Sequence, residues 1–278
     1  YEISACLVGS EMCIRDSDYT MKVTVLGSGT STGVPQVGCG CPVCTSTDPR
    51  DNRLRCSGLI EMEGVRILID CGPDFREQCI RMNDFRPIDG VLITHEHYDH
   101  VGGLDDLRPF CSFRDVPVYA EGYTAERLQR RMPYCFVEHP YPGVPSIPLS
   151  VIEPYKPFQV TNLSGHSLEV VPFRVMHGKL PILGYRVGKV AWITDMLTMP
   201  DESYEFLQGL DYLFINALRI EPHWTHQSLA EALEQASRIG AGETYFIHMS
   251  HHMGLHAEVE KQLPPHVHMA YDGLVVEQ

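Results

Sequence analysis

The chain has 278 residues, of which 44% are hydrophobic and 21% charged, so it reads as an ordinary globular protein long enough to bury a sizeable core. Its formal net charge of −14 disfavours a non-specific polyanion binder, because gripping phosphate backbones takes lysine and arginine, though a local basic patch stays allowed. No apolar run approaches the ~18 residues of a membrane-spanning helix. No charged-then-apolar leader is read at the N-terminus, so a cytoplasmic location is expected.

Residues 1–20, "YEISACLVGSEMCIRDSDYT", show neither periodicity nor turn logic leading into the strand that begins after Met21. They read as a non-native or disordered leader, and Cys6 and Cys13 leave the reckoning with them. One domain is expected over 21–278. "KVTVLG" (22–27) reads as a strand from its β-branched residues. "SGLIEME" and "VRILID" (57–70) flank Glu63-Gly64 as a hairpin. A helix is expected over 74–83, a strand over 88–95, a helix over 101–110 and a strand at "VPVYA". The proline-rich stretch 133–160 reads as an irregular excursion or a strained edge rather than a domain linker. Further strands are expected at 167–177, within 183–195 and at 211–218. "QSLAEALEQASRIG" (227–240) has helical apolar spacing and stops at Gly240. "ETYFIHMS" closes the strands, and "HAEVEKQLP" is a short helix stopped by proline. Strands in runs broken by a few helices favour a helix-covered pair of sheets over a doubly wound parallel sheet.

"LGSGTSTGVP" (26–35) has the G-x-G of a nucleotide loop. It opens no helix and lacks Gly-Lys-Ser/Thr, so it reads as a tight turn near an active-site mouth. The fourteen histidines are more informative, because eight of them cluster in "HEHYDH", "EPHWTH" and "IHMSHH". In "THEHYDH" (94–100), residues of an extended chain alternate faces, so His95 and His97 point the same way and can grip one cation. Asp99 and His100 come next, at the turn, and can reach a second. Nitrogen and carboxylate donors mixed in this way suit zinc, manganese or iron. The remaining ligands must come from elsewhere. His177, Asp195 and His248 each end a β run, so all three can project from one sheet edge. Among the cysteines, Cys39, Cys41 and Cys44 are spaced C-x-C-x2-C, which reads as metal ligation and needs one further ligand. Cys56, Cys71, Cys79, Cys111 and Cys135 read as buried apolar residues.

These segments, together with "LIDCGPDF", "WITD", "THQSLAEAL" and "YDGLVVE", resemble the metallo-β-lactamase-fold hydrolases from about Met21 onward. The Cys-rich loop narrows the resemblance to the branch that includes the carbon–phosphorus lyase accessory cyclic-phosphate phosphodiesterase. It implies an α/β fold, the αββα sandwich of two mixed sheets flanked by helices. It implies that His95, His97 and His177 hold one metal, that Asp99, His100 and His248 hold a second, and that Asp195 bridges them. Asp70 would support a ligand histidine from behind. His251, with His252 as competitor, would complete a structural zinc with the three cysteines. His226 would contact the substrate phosphate and assist the leaving group, and it matches the family pattern better than His223.

The expected function is that of a metal-dependent phosphodiesterase on a small phosphate ester, cyclic forms included. A hydroxide shared by two divalent ions, zinc or manganese, would attack phosphorus in line with the leaving oxygen. Asp99, Asp195 and His226 are the expected catalytic residues. Three alternatives compete: a lactone, ester or thioester hydrolase on the same fold, a tRNA 3′-end nuclease, and a non-catalytic cofactor-biosynthesis accessory protein. No basic arm for nucleic acid is visible and no membrane partner is expected. A homodimer is allowed.

Overall fold

The computed structural model describes residues 21–136 and 141–278. The leader read over residues 1–20 lies outside the described residues, as does Pro140 of the proline-rich stretch. The first half of the chain lays down β1 (Lys22–Gly27), β2 (Ser57–Met62), β3 (Val65–Ile69), β4 (Gly90–Leu92), β5 (Val118–Glu121) and β6 (Leu149–Ile152) side by side in chain order. The second half does the same with β7 (Phe158–Thr161), β8 (Ser167–His177), β9 (Leu180–Val187), β10 (Val190–Ile193), β11 (Tyr212–Asn216), β12 (Glu243–Ile247) and β13 (Val267–Met269). β14 (Val275–Glu277) returns to pair with β1, so both sheets have seven strands. In each sheet the early strands pair antiparallel, and from β3 to β6 and from β10 to β13 the pairing is parallel.

Strand alternation decides what each face buries. Ile60 and Ile67 join Tyr185, Trp192 and Phe214 in a core between the sheets. Their neighbours Leu59 and Leu68 point the other way, onto Phe75 of α1 (Phe75–Met82). The outer face of the second sheet buries Leu213, Ile215 and Phe246 with Ala232 and Ile239 of a helix over Leu229–Ile239. Strands covered on both faces are apolar at nearly every position, as these are. The result is the expected αββα sandwich. Gly58 makes room within it: an added Cβ would lie 2.5 Å from the Trp192 ring.

Three local expectations change. The helix read at 101–110 is a short α2 (Tyr98–Val101) followed by a 3-10 stretch, Leu104–Ser112. Gly102 and Gly103 break the α geometry and Pro109 removes a donor. A further helix, α3 (Gly122–Arg131), was not expected, because it begins on glycine and buries only Thr124, Ala125 and Leu128. The stretch 133–160 keeps its reading as an edge, since it contains β6 and most of β7, each at one edge of its sheet. Edge strands tolerate nearby proline because one row of backbone donors faces away from the ladder. Cys79 and Cys111 are half-buried rather than core residues. The Leu229–Ile239 helix, α4, opens on a capping box, with Ser228 N–H donating to Glu231 Oε2 at 2.8 Å.

The C-terminal segment is tied back through α5 (His256–Val259). The His256 backbone N–H donates to Asp51 Oδ1 at 2.8 Å, and its ring Nδ1 accepts from the Arg53 guanidinium at 3.3 Å. Burial, with Arg53 and Arg50 behind it, pushes the His256 pKa down to about 4. The unfolded chain therefore takes up this proton at a higher pH than the folded one. Stability is expected to fall as pH drops from about 6.5 towards 4, by a few kcal/mol on the order of the shift. Chemical denaturation at several pH values checks this. A His256→Asn profile no flatter than that of the parent would remove the histidine from the acid response.

Candidate metal centre

The candidate ligands all stand at the C-terminal ends of strands. His177 is the last residue of β8, Asp195 comes two residues after β10, and His248 directly follows β12. β8 and β10 run the same way because β9 lies antiparallel between them, and β10 to β12 are parallel. In the other sheet Asp70 follows β3, and the heptapeptide 94–100 leaves β4, which is parallel to β3. Asp70, Asp195 and His248 have φ of 58°, 57° and 56°. This left-handed conformation is unfavourable for side chains with a Cβ and concentrates at functional sites. It turns each chain sharply off its strand. Gly72 lets the heptapeptide approach, since an added Cβ would sit 2.0 Å from Asp99 O.

Two groups of donors result, each with its ligand atoms within 4.8 Å of one another. One is His95, His97, His177 and Asp195, and the other is Asp99, His100, Asp195 and His248. Asp195 belongs to both. Its Oδ1 lies 3.3 Å from His100 Nε2 and 3.2 Å from His248 Nε2, whereas Oδ2 lies 3.8 Å from His95 Nε2. Asp99 Oδ2 stands 3.1 Å from His100 Nε2 and 3.5 Å from His248 Nε2. His95, His100, Asp195 and His248 are almost fully buried. Despite burial, the neighbouring histidines hold the Asp195 and Asp99 carboxyls well below the usual range.

The hydrogen bonds behind the histidines determine which nitrogen is free. Asp70 accepts from Thr94 N–H at 2.8 Å and from the Thr94 hydroxyl at 2.9 Å. That hydroxyl is then an acceptor for His95 Nδ1–H at 3.0 Å. Asp70 Oδ2 also accepts from His100 Nδ1–H at 2.7 Å, and Thr225 O accepts from His177 Nδ1–H at 3.0 Å. In all three rings Nε2 is left with a lone pair directed inward. His95 Nε2 then faces His97 Nδ1 at 2.9 Å. His100 Nε2 and His248 Nε2 are buried with no hydrogen-bond partner. Lone pairs brought together beside carboxylates are repelled unless a cation sits among them, so this donor set fits divalent metals. Thr94 was not singled out in the sequence, although it opens the heptapeptide. Its role depends on Asp70 arriving from a neighbouring strand.

His226, just before α4, lies against this centre with Nε2 3.1 Å from Asp195 Oδ2. Its Nδ1 faces Thr225 Oγ1 at 2.9 Å and His223 Nδ1 at 3.2 Å. Burial pushes its pKa down to about 4, against the pull of Asp195. The glycine-rich loop borders the same region, with Thr30 N–H donating to Met249 O at 3.0 Å.

A separate group consists of Cys39, Cys41, Cys44 and His251. His251 Nδ1 lies 3.5 Å from Cys39 Sγ and 3.3 Å from Cys41 Sγ. A tetrahedral zinc with one nitrogen and one sulfur ligand would separate them by roughly 3.6 Å. The structure thus brings His251, not the exposed His252, to the cysteines. The Cys44 N–H and then the His251 ring hold the Cys41 thiol down to about 6.

A family model described as the beta-lactamase superfamily domain matches residues 65–249. The chain belongs to the metallo-β-lactamase superfamily, whose fold it shows, and its His/Asp centre fits a metal-dependent hydrolase. It is similar to the solved structure of a diphosphatase from the PhnP family, with 40% identity, a TM-score of 0.84, and coverage of 93% of this chain and 97% of that one. It is 49% identical over 256 residues to an octanoyltransferase of Porphyromonas gingivalis, covering 91% of this chain and 51% of that protein. The chain thus spans about half the length of the curated relatives it matches. Zinc-bound PqqB of Methylobacterium extorquens shares the fold at 21% identity and a TM-score of 0.74, covering 92% of this chain and 99% of that one. Among the described residues no helix is long and apolar enough to cross a membrane.

Proposed function

We propose that the chain is a phosphodiesterase or diphosphatase acting on a small phosphate ester, with two divalent ions in the His/Asp centre. The observation that carries this reading is the shared carboxylate of Asp195, which presents one oxygen to each donor group. His95, His97 and His177 would hold one ion, Asp99, His100 and His248 the other, and Asp195 would bridge them. Such a pair supplies Lewis acidity towards a phosphoryl oxygen and lowers the pKa of water. Asp70 and Thr94 keep the ligand imidazoles in the tautomer that points Nε2 inward. His226 stands beside Asp195 with Nε2 turned to the centre, where it can bind a phosphate oxygen. The negative charge of the bound ester would offset the burial that keeps the free ring neutral and let it take up a proton for the leaving oxygen. Cys39, Cys41, Cys44 and His251 would hold a structural zinc, closed to chemistry because all four positions are protein ligands. The similarity to a PhnP-family diphosphatase supports phosphate as the group attacked.

The test is a substrate panel with zinc or manganese added back: 2′,3′-cyclic, 1,2-cyclic and linear phosphodiesters, a diphosphate ester, a lactone and an acyl thioester. Turnover confined to the lactone or thioester would overturn the phosphate reading. Asp70→Asn is expected to weaken metal retention roughly 10- to 100-fold by loosening His100 and Thr94. Metal content after graded chelation measures this, and unchanged retention would remove Asp70 from the site.

A further inference from the structure

The chain has two tryptophans, and they have opposite surroundings. Trp192 is fully buried between the sheets, whereas Trp224 is 89% exposed. Trp224 lies in the loop that carries His226, and the backbone of that loop is held on both sides of it. Arg219 donates to Glu221 O at 3.1 Å and to Pro222 O at 2.6 Å. His177 Nδ1–H donates to Thr225 O at 3.0 Å. Gly178, next to His177, packs so closely that an added Cβ would lie 3.0 Å from Thr225 Cγ2. A fixed backbone therefore presents a bare indole two residues from His226. The His226 ring is 4.5 Å from that of His177, which is 5.2 Å from that of His97. Beyond His97, Tyr98 is also exposed, at 62%. Exposed aromatic residues thus neighbour, along the chain, the histidines at both ends of this row.

The charge distribution adds a reason. The chain carries −14 net, and residues 221–226 include no lysine or arginine. The loop thus adds no cation of its own between Glu221 and His226, and the Arg219 guanidinium beside it is taken up by the carbonyls of Glu221 and Pro222. A flat apolar surface can supply affinity that is independent of charge, because every nucleobase has a π-face that stacks on an aromatic ring. We propose that Trp224 is a stacking platform for a nucleobase on the substrate, which makes the substrate class a nucleoside-bearing phosphodiester or diphosphate. This rests on the phosphate-ester reading above.

Trp192 is shielded, so a ligand-induced change in tryptophan emission reports Trp224. With the zinc-loaded full chain, adenosine 5′-monophosphate is expected to quench emission at concentrations where ribose 5-phosphate does not. Trp224→Phe should abolish that signal. In kinetics, Trp224→Ala is expected to raise KM for a nucleoside 2′,3′-cyclic phosphate roughly tenfold relative to the same cyclic phosphate on ribose without a base. Trp224→Tyr should retain most of the preference. Equal quenching by both ligands, or an unchanged KM ratio in Trp224→Ala, would overturn the platform. If the parent quenches with the nucleotide yet hydrolyses no phosphate ester, the platform stands and the phosphodiesterase reading falls.

Discussion

Replacing His226 with alanine is expected to lower kcat on phosphodiesters by roughly 10²- to 10⁴-fold, the range of a positioned proton-transfer group. Metal content should not change. His226 meets Asp195 Oδ2 at 3.1 Å and packs its ring against those of His177 and His248, but it belongs to neither four-residue donor group. A leaving alkoxide needs a proton or a strong hydrogen bond, and His226 Nε2 is turned towards the place where one would be used. The effect should shrink for esters with an activated leaving group such as nitrophenolate, which departs without protonation. Metal analysis beside steady-state rates separates a lost proton donor from a lost ion. Parental kcat in the alanine variant would exclude His226 from the chemistry, and a drop confined to KM would leave it a role in binding only.

The second large effect concerns the other cluster. Cys41→Ser is expected to release about one zinc per chain, because serine does not replace a thiolate in a closed tetrahedral site. An ion present at a thousand times its Kd stabilises the folded state by about 4 kcal/mol. For a chain of this size that corresponds to a fall in Tm of roughly 10 °C. The loop 36–44 would lose its tie to His251, three residues beyond His248. Zinc by atomic absorption and a thermal melt measure both effects. Full zinc with an unchanged melt would sink the structural-site reading. Loss of all metal together would show that the two sites are not independent.

Much of the architecture could be read from local pattern. β1 and β8 have the bounds expected from their residues, and the hairpin at Glu63-Gly64 is where glycine and a positive-φ residue place it. α4 kept its predicted span to within a residue or two, since its cap and its glycine stop lie within its own sequence. α3 was invisible because its buried face is small. The extent of 3-10 geometry after α2 was hidden because it depends on how Gly103 packs on Gly72, two segments meeting in space.

The candidate site divides along the same line. "THEHYDH" carries four metal-type side chains at a spacing that an extended chain and a turn convert into two adjacent half-sites. Residue type and periodicity suffice for that, because neighbours along the chain cannot be far apart. Which distant residues join them is a question of sheet topology. His177, Asp195 and His248 meet the heptapeptide because β8, β10 and β12 run the same way in one sheet, and that sheet packs on the one carrying β4. The selection of His251 over its neighbour His252, the left-handed turns at Asp70, Asp195 and His248, and the relay from Asp70 through Thr94 to His95 are likewise tertiary facts. Each depends on the direction in which one side chain leaves a backbone fixed by packing elsewhere. Local sequence determined the kind of chemistry, and the packing of two sheets decided its geometry.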